Sequence, residues 1–334
     1  MSQSLLTEQD GNVAKPTGGT LRDNESPIAP GYCPVCRTEE GRTFLRGPDR
    51  FHHRPDTYEL LRCPACTLVW LADPPKPAEM HAHYGADYDR FIGFGGDSSP
   101  ERWRERQRAI SRYKTGGALL DLGCSTGSFL ASLKGQSWDL HGVEISVPTA
   151  KIAEARSCGK IFVGDVLDAP FQSETFDVIT SFDVLEHVYE PREVLSKVHD
   201  WLKPGGIYYT LVPNINAWEA RLFGSYWYGL ELPRHLSHFS PQSLRSLAES
   251  VGFEVASLAT HRNSAFIYSA RYLYDDLLRG MGISRVSLAE GKPANPSWWR
   301  ATRKMFRLTA LPLFSGLASL AGAGESIHAV FRKG

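Results

Sequence analysis

Residues 119–130 read Leu-Leu-Asp-Leu-Gly-Cys-Ser-Thr-Gly-Ser-Phe-Leu. An apolar run ends near Asp121, passes through a loop containing Gly123 and Gly127, and gives way to a helical pattern. Strand, glycine turn and helix in that order open a βαβ unit, and small residues in the turn let the backbone approach a ligand closely. The glycines sit four apart and no Gly-Lys-Ser/Thr follows, so this is not a phosphate-cradling P-loop. Nor is it Gly-x-Gly-x-x-Gly, which disfavours a dinucleotide dehydrogenase.

Working outward, short apolar runs alternate with amphipathic helices from 118 to 262. Strands are expected at 118–122, 139–143, 161–163, 176–181, 207–212 and 253–258, with a last one at 326–331. Helices are expected at 127–134, 147–157, 191–202 and 241–251, the last opened by Ser240 as N-cap with Pro241 behind it. Lys203-Pro-Gly-Gly reads as a turn. This alternation predicts an α/β fold with a mostly parallel sheet.

Acidic residues close the successive strands: Asp121, Glu144, Asp165 and Asp183. Open α/β sheets bind ligands at those carboxyl ends. Glu144, 23 residues after Asp121, is placed to take both hydroxyls of a ribose. Asp165, with the backbone N–H of Val166, suits an adenine edge. With Gly164-Asp165-Val166, Phe176 to Val188 and Leu202-Lys-Pro-Gly-Gly added, the segment from about 79 to 262 resembles class I S-adenosylmethionine-dependent methyltransferases. The resemblance implies a Rossmann-like seven-stranded sheet whose last strand, at 326–331, is antiparallel. It also implies S-adenosylmethionine as methyl donor, with Gly123 and Gly127 facing its methionine part, Glu144 the ribose, and Asp165 with Val166 the adenine. Asp121, Cys124, Ile145, Asp183 and Tyr84 complete the expected cofactor-binding set, Cys124 as a packing residue rather than a nucleophile.

Upstream, Cys33-Pro-Val-Cys36 and Cys63-Pro-Ala-Cys66 are two knuckles separated by 26 residues. Four thiolates so arranged fill the tetrahedron of a structural Zn2+, and a closed site leaves no position for substrate. His52 and His53 are then surface residues. Arg37 and Thr67 stand where such knuckles often carry Gly. The chain is expected to divide into a disordered tail (1–30), a zinc-ribbon-like module (31–72), a linker and helical flap (73–117) and the methyltransferase domain (118–334). Within the flap, Tyr84 and Tyr88 either lid the cofactor or pack, and the Arg-rich run 101–114 reads as a solvated helix face.

The acceptor is expected beyond the fifth strand, where Asn214, Trp218, Trp227, His235 and His238 gather aromatic rings and imidazoles. Sugar faces stack on such rings. His235 or His238 is placed to act as general base or simply to hold the loop; His187 is a weaker candidate. A cysteine module joined to this domain resembles bacterial methyltransferases of sugars, polysaccharides and natural products. That implies a small-molecule or glycan acceptor, methylated on a hydroxyl or a carbon. A quinone-type aromatic methyltransferase and a non-catalytic binding module are the alternatives.

Composition bounds the rest. With 37 Lys+Arg against 37 Asp+Glu the 334-residue chain is neutral, which argues against nucleic acid as partner. Six cysteines are too few for a disulfide scaffold, and no secretory leader is visible, so a cytoplasmic location is expected. The insert 263–323 is rich in aromatics and leucine, and seven basic residues against one acid follow position 291. It reads as helices covering the sheet or forming a homodimer, or as a peripheral membrane contact.

Overall fold

The computed structural model describes residues 32–39, 41–52, 54, 56–84, 100–261, 265–280 and 321–334. The expected disordered tail, His53, Tyr88 and most of the insert (281–320) lie outside the described residues.

An antiparallel meander comes first: β1 (Arg42–Pro48), β2 (Thr57–Arg62) and β3 (Val69–Leu71). After a short turn of helix (α1, Pro77–Met80) and the helix α2 (Pro100–Ser111), the α/β unit begins. It runs β4 (Gly117–Leu122), α3 (Ser128–Ser132), β5 (Trp138–Glu144), α4 (Val147–Ser157), β6 (Lys160–Val163), β7 (Phe176–Phe182), α5 (Pro191–Trp201) and β8 (Leu202–Pro213). Then follow α6 (Trp218–Phe223), the two-residue strand β9 (Ser237–His238), α7 (Pro241–Ser250), β10 (Phe253–His261), α8 (Ala265–Gly280) and β11 (Ser326–Lys333).

The large sheet has seven strands in the order β10-β11-β8-β7-β4-β5-β6. Strands β4 to β8 pair in parallel, and β11 runs antiparallel to both its neighbours. The expected architecture is therefore present. Local chemistry explains the boundaries. Ser146 caps α4 by accepting from the Thr149 N–H, and Ser240 with Ser243 forms a reciprocal capping box on α7, each followed by Pro in the first turn. Leu119, Leu120, Val178 and Ile179, fully buried on central strands, lie on both faces of the sheet, as a sheet covered by helices on both sides requires.

Two expectations need correction. The turn at 203–206 is absorbed into β8, where Gly205 takes φ +69° and the β7–β8 register shifts between Phe176 and Val178. The Arg-rich helix is not uniformly solvated: Arg106 is buried, with its guanidinium 3.9 Å from the Phe182 ring centre and 4.7 Å from that of Trp103. A planar, weakly hydrated cation tolerates that apolar seat by stacking on π-faces.

The cysteine module is tied to the rest of the chain in a way the spacing does not reveal. Its meander does not stop at β3: β3 pairs antiparallel with β9, Val69 opposite His238 and Trp70 opposite Ser237. Cys33, Cys63, Cys66, Leu68 and Trp70 share one buried cluster with Phe239, Leu244 and Leu247. The segment 31–72 is thus joined to the α/β unit through both a sheet and a core.

Candidate active site

The ligand cradle forms where β4 ends. Gly123 and Gly127 adopt φ +61° and +71°, the left-handed region in which a side chain is strained. A Cβ on Gly123 would lie 2.6 Å from Val184 Cγ2, and one on Gly127 would lie 2.8 Å from Ala153 Cα. Ser125 between them also has positive φ, and its N–H donates to Glu144 Oε2 at 3.0 Å. The other oxygen of Glu144 accepts from the Ser146 N–H at 2.9 Å. Each carboxylate oxygen retains a second acceptor site, so the group can still receive a pair of hydroxyls. Burial raises the Glu144 carboxyl, and the N–H groups of Ser146, Ser125 and Ile145 offset part of that rise.

Asp121 lies beneath the loop. Thr180 Oγ1 donates to it at 2.6 Å, yet burial pushes its carboxyl up to about 7, despite Thr180 and the Arg106 charge. Cys124 is buried against the cradle, its Sγ occupying the space beside Gly142, and burial raises its thiol. It is packing material, because a neutral buried thiol is a poor nucleophile. At the ends of the neighbouring strands, Ile145 is 72% exposed and Val163 43% exposed. Asp165 is exposed too, and its Oδ1 caps the Leu167 N–H at 2.8 Å. Two bare apolar side chains next to an acid and free backbone form a slot suited to a flat heterocycle with a polar edge. Tight backbone, a ribose-competent carboxylate and this slot together fit S-adenosylmethionine.

A second group of side chains gathers beyond β7. Asp183, at φ +58°, opens a turn in which the His187 N–H reaches the Val184 carbonyl at 3.0 Å. Since Val184 also packs on Gly123, Glu186 and His187 stand one turn from the cradle. The Glu186 carbonyl accepts from the N–H groups of Leu236 and Ser237 at 2.8 and 3.1 Å, which binds this turn to the acceptor segment. His187 Nδ1 is 3.1 Å from the Arg234 carbonyl and 3.0 Å from Tyr84 Oη, and its ring lies 4.6 Å from that of His235, centre to centre. Tyr84 therefore reaches the His187 side of the site from the flap.

His235 and His238 are both buried, and each spends one ring nitrogen on a backbone carbonyl: Nδ1 on Gly229 at 2.9 Å, Nε2 on Leu230 at 3.0 Å. Burial lowers both imidazoles, His238 to about 4, so both are neutral near pH 7. The structure brings His235 to His187 and sets His238 in β9 against Val69. Trp227 is buried in the core with Leu230 and Leu232, which corrects its expected role as an exposed stacking face. Trp218 stacks on Phe266, and Asn214 is fully buried on the carbonyls of Gly322 and Gly324.

Sequence reasoning did not single out Glu186 or the joint that supports this corner. Arg234 and Asp49, both fully buried, pair at 3.3 Å, and Arg234 Nη1 also donates to the His83 carbonyl at 3.1 Å. Burial pushes the Asp49 carboxyl up, but Arg234 and donors from His52 outweigh it and hold it below the usual carboxylate range. His52 is correspondingly not a surface residue: its ring lies 3.1 Å from Asp49 and is mostly buried. The spacing Asp183-x-x-Glu186-His187 was the available signal for the corner; the Asp49–Arg234 pair left none.

The four cysteine sulfurs lie within 4.8 Å of one another, with Cys33–Cys66 at 3.5 Å and Cys36–Cys63 at 3.4 Å. Tetrahedral thiolates about 2.3 Å from a Zn2+ stand roughly 3.8 Å apart, so this cluster is compatible with zinc. Arg37 and Thr67, the residues replacing Gly, take φ +60° and +65°, and their N–H groups close the knuckles on the Cys33 and Cys63 carbonyls.

Among known proteins, residues 98–258 match the family model of a methyltransferase domain. The ubiquinone biosynthesis O-methyltransferase of Paraburkholderia xenovorans is 24% identical over 158 residues, covering 44% of this chain and 68% of that protein. The demethylmenaquinone methyltransferase of Bacillus subtilis is 26% identical over 129 residues, covering 36% of this chain and 55% of that protein. Of solved structures, the phosphoethanolamine N-methyltransferase 2 of Haemonchus contortus aligns with a TM-score of 0.49 at 16% identity, over 79% of this chain and 63% of that one. With the cradle, the acids and the strand order already in place, residues 98–258 are a class I S-adenosylmethionine-dependent methyltransferase domain, and the chain is a methyltransferase by virtue of it.

Proposed function

We propose that the chain methylates a hydroxyl oxygen of a small-molecule acceptor, a sugar or lipid-linked glycan in the first instance. Bound S-adenosylmethionine supplies a methyl already activated on a sulfonium. The chain's own work is to hold the donor between Gly123, Gly127 and Glu144, to place the acceptor, and to receive its proton. The observation that carries this reading is the gathering of Glu186, His187, His235 and Tyr84 one turn beyond the loop that packs on Gly123. The Asp183, Glu186 and His187 turn sits at the carboxyl end of β7, where a ligand reaching past the cradle arrives. Zn2+ on Cys33, Cys36, Cys63 and Cys66 is structural in this reading and steadies β3, which in turn steadies β9.

A second acceptor class, an aromatic quinol, is favoured by the names of the relatives, which include ubiquinone and demethylmenaquinone methyltransferases. Incubating the chain with S-adenosylmethionine and, separately, sugar nucleotides, glycan fragments and catechol-type quinols distinguishes the two. The proposal expects methylated sugar by mass spectrometry and no product with the quinols. Product from quinols alone would transfer the assignment to the second class. No acceptor-dependent S-adenosylhomocysteine from either class would sink both.

A further inference from the structure

We propose that Glu186, His187 and His235 form a second metal site, separate from the cysteine cluster, which takes one divalent cation of the borderline class such as Mn2+, Fe2+ or Zn2+. One ligand atom from each of the three residues lies within 4.8 Å of the others. Glu186 is 1% exposed, and neither carboxylate oxygen finds a hydrogen-bond partner among the described residues. A carboxylate removed from water in that way is costly to leave unpaired, and a cation is the group that compensates it best.

The two imidazoles are prepared for the same guest. His235 Nδ1 donates to the Gly229 carbonyl at 2.9 Å, and His187 Nδ1 lies 3.1 Å from the Arg234 carbonyl, which must accept from it. Fixing the proton on Nδ1 in both rings leaves each Nε2 as a bare lone pair. Metal-bound histidines characteristically orient themselves by this backbone carbonyl contact. The bare His235 Nε2 faces Glu231 Oε2 at 3.4 Å, so two acceptors confront each other across the site. A cation beside them removes the mismatch and gains Glu231 as a fourth ligand and second oxygen donor. Two imidazoles and carboxylate oxygen suit Mn2+, Fe2+ or Zn2+, whereas the four-thiolate cluster is too soft for Mn2+. The inference deepens the functional reading above, because an ion here would bind the acceptor's hydroxyl oxygen.

The test is a titration of the full chain, its cysteine site loaded with zinc, with Mn2+ alone, followed by electron paramagnetic resonance. About one equivalent of Mn2+ should bind with the zinc retained. Glu186→Gln and His235→Gln should each weaken Mn2+ binding at least about tenfold. No Mn2+ bound by the wild type, or unchanged binding in both variants, would overturn the site. Should the variants fail to fold, Co2+ added to the zinc-loaded wild type decides. Weak ligand-field bands without sulfur charge transfer support the site, and their absence overturns it. Metal content is read without any acceptor. Mn2+ binding with no methyl transfer upholds the site and sinks only the functional reading, while transfer without Mn2+ binding does the reverse.

Discussion

The proposed donor side and the proposed acceptor side of this molecule are built in different ways. The donor side is assembled from contiguous stretches, each at or just beyond the carboxyl end of a parallel strand of the seven-stranded sheet: the Gly123 loop, Glu144 and Asp165. The acceptor side is assembled from pieces far apart in the chain, since Asp49, His83, Glu186 and Arg234 meet through one buried guanidinium and the turn it supports. A sheet edge strengthens the same joint, β3 pairing with β9 across the intervening α/β unit. Local chemistry suffices to shape a donor cradle, whereas a specific acceptor corner here needs long-range pairing to hold its side chains in place.

That contrast can be broken most severely at its joint. Asp49→Ala leaves Arg234 buried without its countercharge, and loss of one partner of such a pair typically costs about 3–5 kcal/mol. Urea unfolding should show that loss, and Asp49→Leu with Arg234→Met should recover most of it. A midpoint that hardly moves in Asp49→Ala would mean the acceptor corner does not depend on the pair.

The next effect sharpens the donor side through pH. The Asp121 carboxyl stands at about 7 in the folded chain, above its ordinary 3.8. A carboxyl raised on folding contributes its stability fully below pH 4 and loses it as the pH rises through about 7. The loss is on the order of 4 kcal/mol at most. Asp121→Asn has no such titration, so the difference in urea midpoint, wild type minus variant, should fall between pH 4 and pH 8. A constant difference would contradict the buried, proton-holding environment described for Asp121.

The smallest effect concerns the knuckles. Arg37→Gly removes a side chain from a left-handed position, which relieves up to about 1 kcal/mol of strain. Its exposed contact with Glu193 at 3.5 Å offsets little of that. The zinc-loaded variant should melt slightly higher than the wild type, and a clearly lower melting temperature would count against a strained knuckle.

The same contrast explains what could be read from the sequence. The alternation of strands and helices was legible because periodicity, caps and glycine turns are local signals, whereas the seven-stranded sheet with an antiparallel β11 followed from the resemblance to class I methyltransferases. The ends of β8 and β10 were not legible, because the early start of β8 is set by Leu202 pairing with Phe176 of β7 and the late end of β10 by its pairing with β11. The four cysteines were legible as a cluster from spacing alone. Their union with β9 was not, because residues 70 and 237 meet only through a fold whose partner strand is two residues long. Arg106 and Trp227 were misplaced for a related reason: charge and aromaticity suggested water and ligand, while stacking and core packing determined their burial.

The most direct measurement is a calorimetric titration of the full chain with S-adenosylmethionine, repeated with Glu144→Ala. Two charge-assisted hydrogen bonds to a ribose are at stake, each worth about 1.5–3 kcal/mol. The account predicts one binding site in the wild type and an affinity at least about tenfold weaker in the variant. No binding heat in the wild type, or equal affinity in the two proteins, would contradict it.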